Sequence, residues 1–243
     1  MVKGASIKFV SYAESIPKIL NLMNLQTELK KYDKIILKPC QGSSLEDYPK
    51  KEFIESILKF CLEHKNRITE VFIAEGAEGI ETTDLFQNLG YSHLAETYGI
   101  SLIDLNKVDT KIIENYEFSR FTEINYPSIL LDSFLIPIIP LSENSETELS
   151  GSLSGMLGAF PLSHYKGWFS KTKNKIRTWP IKYSIHDILK CKMPDFTILD
   201  ASSKGQILAG LPLEIDKQAA KLLGLEWKAI PHLKLINEAF PIK

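Results

Sequence analysis

Residues 69–106 read TEVFIAEGAEGIETTDLFQNLGYSHLAETYGISLIDLN, and this stretch limits the fold more than any other. The apolar run Val71-Phe72-Ile73-Ala74 stops at Glu75-Gly76, a second glycine follows at Gly79, and Thr82-Thr83 open a helical pattern. A second short apolar run ends in Asp104-Leu105-Asn106. Strand, loop, helix and strand make one βαβ unit, because parallel strands need a crossover of this length. Carboxylates stand at the C-terminal ends of both strands. In open α/β sheets, ligands bind in the crevice outside those ends.

The flanking sequence repeats the rhythm. Ser6 to Tyr12 alternates as a first strand, and Ser15-Ile16-Pro17 opens a helix with Ser15 as cap and Pro17 in the first turn. Ile19, Leu20, Met23 and Leu29 supply its apolar face. The segment DKIILKP at 33–39 is continuously apolar, as expected of a parallel strand covered on both sides. A polar loop from Cys40 to Glu46 leads to a helix over Tyr48 to His64, with Phe53, Ile57, Phe60 and Cys61 inward. These passages predict an α/β fold: a mostly parallel, twisted sheet with helices on both faces and strands at about 6–12, 33–39, 70–75, 100–105 and 195–200.

Beyond Lys111 the pattern loosens. Short strands are expected within Ile112 to Ile124, the longest apolar run spans Ser128 to Leu141, and Ser145 to Leu157 reads as a weak helix. Residues 161–182 form an irregular basic and aromatic excursion with Trp168, Lys171, Lys173, Lys175, Arg177 and Trp179, read as a solvated loop anchored by its tryptophans. DFTILD at 195–200 is a strand, Gln206 to Leu211 another, Asp216 to Leu225 a helix and Pro231 to Phe240 a last one. No Pro/Gly/Ser linker divides the chain, so residues 1–243 are read as a single domain carrying that excursion.

Composition narrows the partners. A net charge of −1 with no block of like charges excludes the basic field that nucleic acids and anionic membranes require. The start MVKGASIKFVSY lacks the apolar core of a signal peptide, and Ile129 to Leu141 is too short and proline-broken to span a bilayer. Cys40, Cys61 and Cys191 are widely spaced, so neither a disulfide framework nor a thiolate cage is expected, and the setting is read as cytoplasmic. His64, His93, His164, His186 and His232 show no ligand spacing, so no structural zinc is expected.

Chemistry then falls to the strand ends. Lys38 could neutralise a bound anion at the sheet edge. Gly76 and Gly79 would let backbone N–H groups approach a ligand. Glu75 and Asp104, on neighbouring strand ends, could act as acid and base or hold a hard cation, with Asn106 just beyond. Asp200 ends a third strand, and Asp216 opens a helix, where capping alone accounts for it. Lys38, Glu75, Gly76, Asp104, Asn106, Asp200 and Asp216 are therefore the ligand-binding candidates, and a small anionic metabolite is the expected ligand.

With these residues in hand, the chain resembles the domain-of-unknown-function 362 family. IILKP at 35–39 is similar to the family's strand ending in Lys-Pro-Asn, and IAEGA at 73–77 to its Gly-Glu-Gly turn. The stretch from Phe86 to Asn106 follows the family pattern throughout, ILDA at 198–201 resembles its strand ending in aspartate, and IDKQAAKLLGL at 215–225 resembles its late helix. The resemblance implies an α/β fold. It departs where TELSGSLSGMLG at 147–158 puts Ser154 and Gly155 in place of the family's Lys-Asn. PLSEN replaces its Lys-x-His, Cys40 its asparagine and Leu211 an aspartate. No ferredoxin cysteine run is present, so no iron–sulfur cluster is expected. The alternative implied by the thinned polar set is a divergent, non-catalytic member acting as a partner or regulatory subunit.

Overall fold

The computed structural model describes residues 3–44, 47–168 and 170–240. Residues 45 and 46 of the expected polar loop lie outside that range. Strand β1 (Gly4–Lys8) leads into helices α1 (Tyr12–Leu22) and α2 (Leu25–Leu29). Next come β2 (Lys34–Pro39), α3 (Lys51–His64), β3 (Glu70–Glu75), α4 (Thr82–Asn88), α5 (Tyr91–Tyr98) and β4 (Ser101–Asp104). An antiparallel pair, β5 (Thr110–Glu114) and β6 (Glu123–Pro127), and helix α6 (Ser128–Leu131) return the chain to β7 (Phe134–Pro140). A hairpin of β8 (Ser142–Asn144) and β9 (Glu148–Ser150) precedes a 3-10 helix at Ser154–Ala159. Helix α7 (Leu162–Tyr165), a 3-10 turn at Asn174–Arg177 and α8 (Ile181–Cys191) follow, then β10 (Thr197–Ala201), β11 (Gln206–Gly210), α9 (Pro212–Leu222) and α10 (Pro231–Ala239).

The main sheet has seven strands in the order β1-β11-β10-β7-β2-β3-β4. The five from β10 to β4 are parallel, and β11 and β1 add an antiparallel edge. From β2 the chain moves outward to β3 and β4, then crosses back to β7 on the other side of β2. The order therefore reverses between β2 and β7, the place where open α/β sheets form a crevice.

Alternate residues of the central strands enter two separate apolar clusters. Ile35 and Leu37 join Phe134 and Ile136 with Ile19 of α1 and Ile57 of α3. Ile36 joins Leu135 with Ile188 of α8, Ala219 of α9 and Leu233 of α10. That division explains why β2 is apolar without interruption: Ile35, Ile36 and Leu37 are all fully buried.

Several local expectations are corrected. Residues 9–12 are not strand: Ser11 caps α1 by accepting the Glu14 N–H, and Tyr12 already lies in the helix. Ser15 is not the cap, because its hydroxyl accepts the Val10 N–H, and Pro17 sits inside the helix. The run containing Pro137 is an interior strand of the sheet, although proline cannot donate to a ladder. The N–H groups of Leu135 and Leu141 face the β10 side, so the one Pro137 lacks falls where β10 is only beginning to pair. The weak helix expected over 145–157 is instead a hairpin and a 3-10 helix. The Asn144 side chain accepts the Glu146 and Thr147 N–H groups to make the turn, and Asp216 takes those of Ser152 and Leu153. Asp216 does not open α9, which begins four residues earlier at Pro212.

Candidate site at the carboxyl edge of the sheet

Lys38 ends β2 and Glu75 ends β3, and their side chains meet at 2.8 Å with almost no exposure, 0% and 4%. Lys38 Nζ also donates to the Gly155 carbonyl at 2.8 Å, and the Gly76 N–H donates to Glu75 Oε1 at 2.7 Å. Burial acts to lower the Lys38 pKa. The charge interactions and hydrogen bonds of Lys38 with its neighbours Cys40 and Glu75 outweigh it, so the ammonium stands above its ordinary value. Burial pushes the Cys40 thiol up to about 12, so it is neutral at physiological pH and the carboxylate is the counter-charge that matters. Buried ion pairs are poor sources of stability, because desolvation offsets attraction. This pair is a feature folding does not require.

Glycines let the backbone close on it. A Cβ at Gly158 would lie 2.2 Å from Glu75 Oε1 and 2.7 Å from Lys38 Nζ, and one at Gly155 would lie 2.5 Å from Cys40 Sγ. A Cβ at Gly76 would meet the Gly158 carbonyl at 2.3 Å. The 3-10 segment is thus pressed onto the strand ends. Ser154 and Gly155, the two positions where the sequence departs from the resembled pattern, face this cluster.

In front of the pair lies a cleft of about 130 Å³, lined mainly by polar groups and including Glu75, Gly76, Ser154, Gly155 and Gly158. Tyr48 and Ser150 also line it, and neither was a sequence candidate. Ser150 is 2% exposed, and its hydroxyl has no hydrogen-bond partner among the described residues. Burial, with Glu75 nearby, pushes the Tyr48 hydroxyl well above its ordinary pKa, so it remains a protonated donor. Nothing local in the sequence marks these two residues, since they reach the cleft from a loop and a three-residue strand.

The basic and aromatic excursion closes one side. Trp168 and Trp179 are 91% and 56% exposed, so the tryptophans do not bury it. Lys173 does, with no exposed surface: its ammonium donates to the Gly76 and Gly158 carbonyls at 2.7 and 3.0 Å. Burial lowers this ammonium to about 8, although Glu78 and Glu75 pull the other way. The Lys173 N–H bonds Glu78, and Arg177 bridges Glu78 and Glu146 at 3.0 and 2.7 Å. The sequence flagged these bases, but not that one of them points inward.

The remaining sequence candidates stand apart from the cleft lining. Asp104 pairs in register with Glu75, yet it accepts the Asn106 N–H and lies 3.4 Å from Lys107. Both Glu75 oxygens are already occupied, so the two carboxylates are committed separately. Asn106 ties the Ala77 carbonyl to the Leu162 N–H and so fixes the loop behind Gly76. Asp200 lies one residue before the end of β10, on the same sheet edge, and accepts the Tyr12 hydroxyl at 2.6 Å and the Ser202 N–H at 2.9 Å. Asp216, fully buried, holds Ser152 and Leu153 and so supports the cleft wall from behind. Burial raises its carboxyl to about 6 against the lowering effect of those bonds. Among the described residues, no three His, Cys, Asp or Glu side chains come together as a metal site. No helix among them is long and apolar enough to cross a membrane.

A mostly parallel α/β sheet with a polar cleft at its strand-order reversal defines the class of protein. Residues 17–206 match the family described as Domain of unknown function (DUF362), and the chain belongs to that family. No curated protein matches it.

Proposed function

We propose that this chain binds a small anionic metabolite in the carboxyl-edge cleft, over the buried Lys38–Glu75 pair. One observation carries the reading: Ser150, beside Tyr48 in the cleft lining, has a buried hydroxyl with no hydrogen-bond partner among the described residues. An unmet buried polar group costs about 1–3 kcal/mol, and a ligand atom would recover it. Lys38, Lys173 and Arg177 are balanced by Glu75, Glu78 and Glu146. An added anion would give the site a net negative charge, which limits the ligand to one small charged group. The 130 Å³ of space imposes the same limit, well below the roughly 300 Å³ at which drug-sized pockets begin. Glu75, Gly76 and Lys38 form the floor. Asp104, Asn106, Asp200 and Asp216 act around it as supports of the loops and the sheet edge.

The reading treats residues 1–243 as one α/β domain whose twisted sheet carries helices on both faces. It is supported by the division of alternate strand residues between two apolar clusters. A cytoplasmic setting fits three widely spaced, unpaired cysteines. A second reading, a non-catalytic partner or regulatory subunit, is favoured by Ser154 and Gly155 and by the Lys173 side chain packed beneath the cleft. A thermal-shift screen of formate, acetate and phosphate against methylamine separates the two. Stabilisation by an anion and not by the amine supports binding. No response to any of them supports the subunit reading.

A further inference from the structure

A second cavity, of about 380 Å³, adjoins the first across Glu146 and Thr147. Its walls are Pro180, Ile181 and Tyr183 at the start of α8 and Pro231 and His232 at the start of α10. Neither helix has a side chain capping its first turn, so two helix N-termini, each with a partial positive charge, open on one space. His232 supplies an independent observation. It is 2% exposed, and its Nε2 has no hydrogen-bond partner among the described residues. Burial holds its imidazole down to about 4, so the ring is neutral and has one N–H to give.

The walls and the polar groups point to different parts of one molecule. Two prolines, an isoleucine and a tyrosine suit a flat apolar body. Two uncapped helix starts, the His232 imidazole and Lys182, whose ammonium sits 5.0 Å from the Tyr183 ring centre, suit an anionic end. The opposing charges are weaker. Glu146 is committed to Arg177, and Glu148 is exposed, where salt screens it. We infer that the groove between the first turns of α8 and α10 is a second ligand site, which takes a small aromatic carboxylate with its carboxylate on His232 and its ring against Ile181 and Tyr183. The inference stands independently of the first cleft.

Titration of benzoate, benzyl alcohol and benzylamine into the intact chain, followed by NMR of the histidine ring protons, tests it. Saturable benzoate binding is expected, at least about tenfold tighter than the alcohol or the amine, with an upward shift of the His232 titration midpoint. Ile181→Trp should abolish binding by filling the groove. His232→Phe should weaken it about tenfold, while His232→Gln, which keeps a donor, retains it. Tyr48→Phe, in the neighbouring cleft, should leave it unchanged. No saturable binding, benzylamine equal to benzoate, or loss of binding in Tyr48→Phe would overturn the assignment. Should a groove variant fail to fold, an unmoved His232 signal in the unmodified chain would overturn it equally.

Discussion

Lys38 and Glu75 lie 37 residues apart in sequence, on adjacent parallel strands, and their charged atoms meet at 2.8 Å with only 0% and 4% of their side chains exposed. Lys38 also donates to the Gly155 carbonyl of the 3-10 segment, and Glu75 accepts the N–H of the next residue, Gly76. The pair therefore couples three carboxyl-edge segments to one another.

Removing one member should leave a buried, uncompensated charge. Lys38→Met or Glu75→Leu is expected to lower unfolding free energy by about 3–5 kcal/mol, while the double replacement should cost far less than the sum. Urea denaturation of the four proteins measures the coupling. Additive losses would show that the charges do not interact.

The glycines are the second test. Gly158→Ala should destabilise by about 1–3 kcal/mol, because the methyl would overlap Glu75 and Lys38. Gly155→Asn meets both Sγ and Cβ of Cys40, at 2.5 and 2.7 Å, so restoring the family's Lys-Asn with Ser154→Lys and Gly155→Asn should require Cys40→Gly as well. Thermal melts of the double and triple variants decide this. Equal stability of the two would remove Cys40 as the obstacle.

Two buried groups act oppositely on acid stability. The Asp216 pKa is raised to about 6 by burial, so its contribution is full below the unfolded value of 3.8 and is lost as pH rises through 6. The His232 pKa is lowered to about 4 by burial, so its contribution is present above the unfolded value of 6.5 and is lost as pH falls through 4. Each is of the order of 3 kcal/mol, and they nearly cancel in the intact chain. His232→Phe should therefore expose a profile that falls from pH 4 to 6, and Asp216→Asn one that rises over the same range. Flat profiles in both variants would contradict the assignment.

Lys173 should hold the excursion in place. Lys173→Met removes two hydrogen bonds to the carbonyls of Gly76 and Gly158, and limited proteolysis should then cut residues 166–180 faster than in the unmodified chain. An unchanged cleavage rate would mean that the Arg177 bridges suffice alone.

The central βαβ unit was legible because its apolar runs end sharply at glycine and carboxylate, signals carried by neighbouring residues. Lys38, Glu75 and Gly76 could be placed at one sheet edge for the same reason. The role of β7 was hidden because proline normally excludes an interior strand, and only the stagger of β10 relieves Pro137. Asp216 looked like a cap for its own helix, whereas the amides it holds lie 63 and 64 residues earlier. Lys173 looked like a solvated base, since nothing near it in sequence announces the two glycine carbonyls that receive it. Tyr48 and Ser150 become neighbours only when loop and hairpin meet.

The most direct test of the cleft is calorimetric titration of acetate and phosphate into the unmodified chain and into the Tyr48→Phe, Ser150→Ala double variant. Stoichiometric binding of at least one anion, weakened about tenfold or more in the double variant whose fold is intact by circular dichroism, is the expected result. Absence of binding by both anions, or equal affinity in the two proteins, would contradict the proposed cleft.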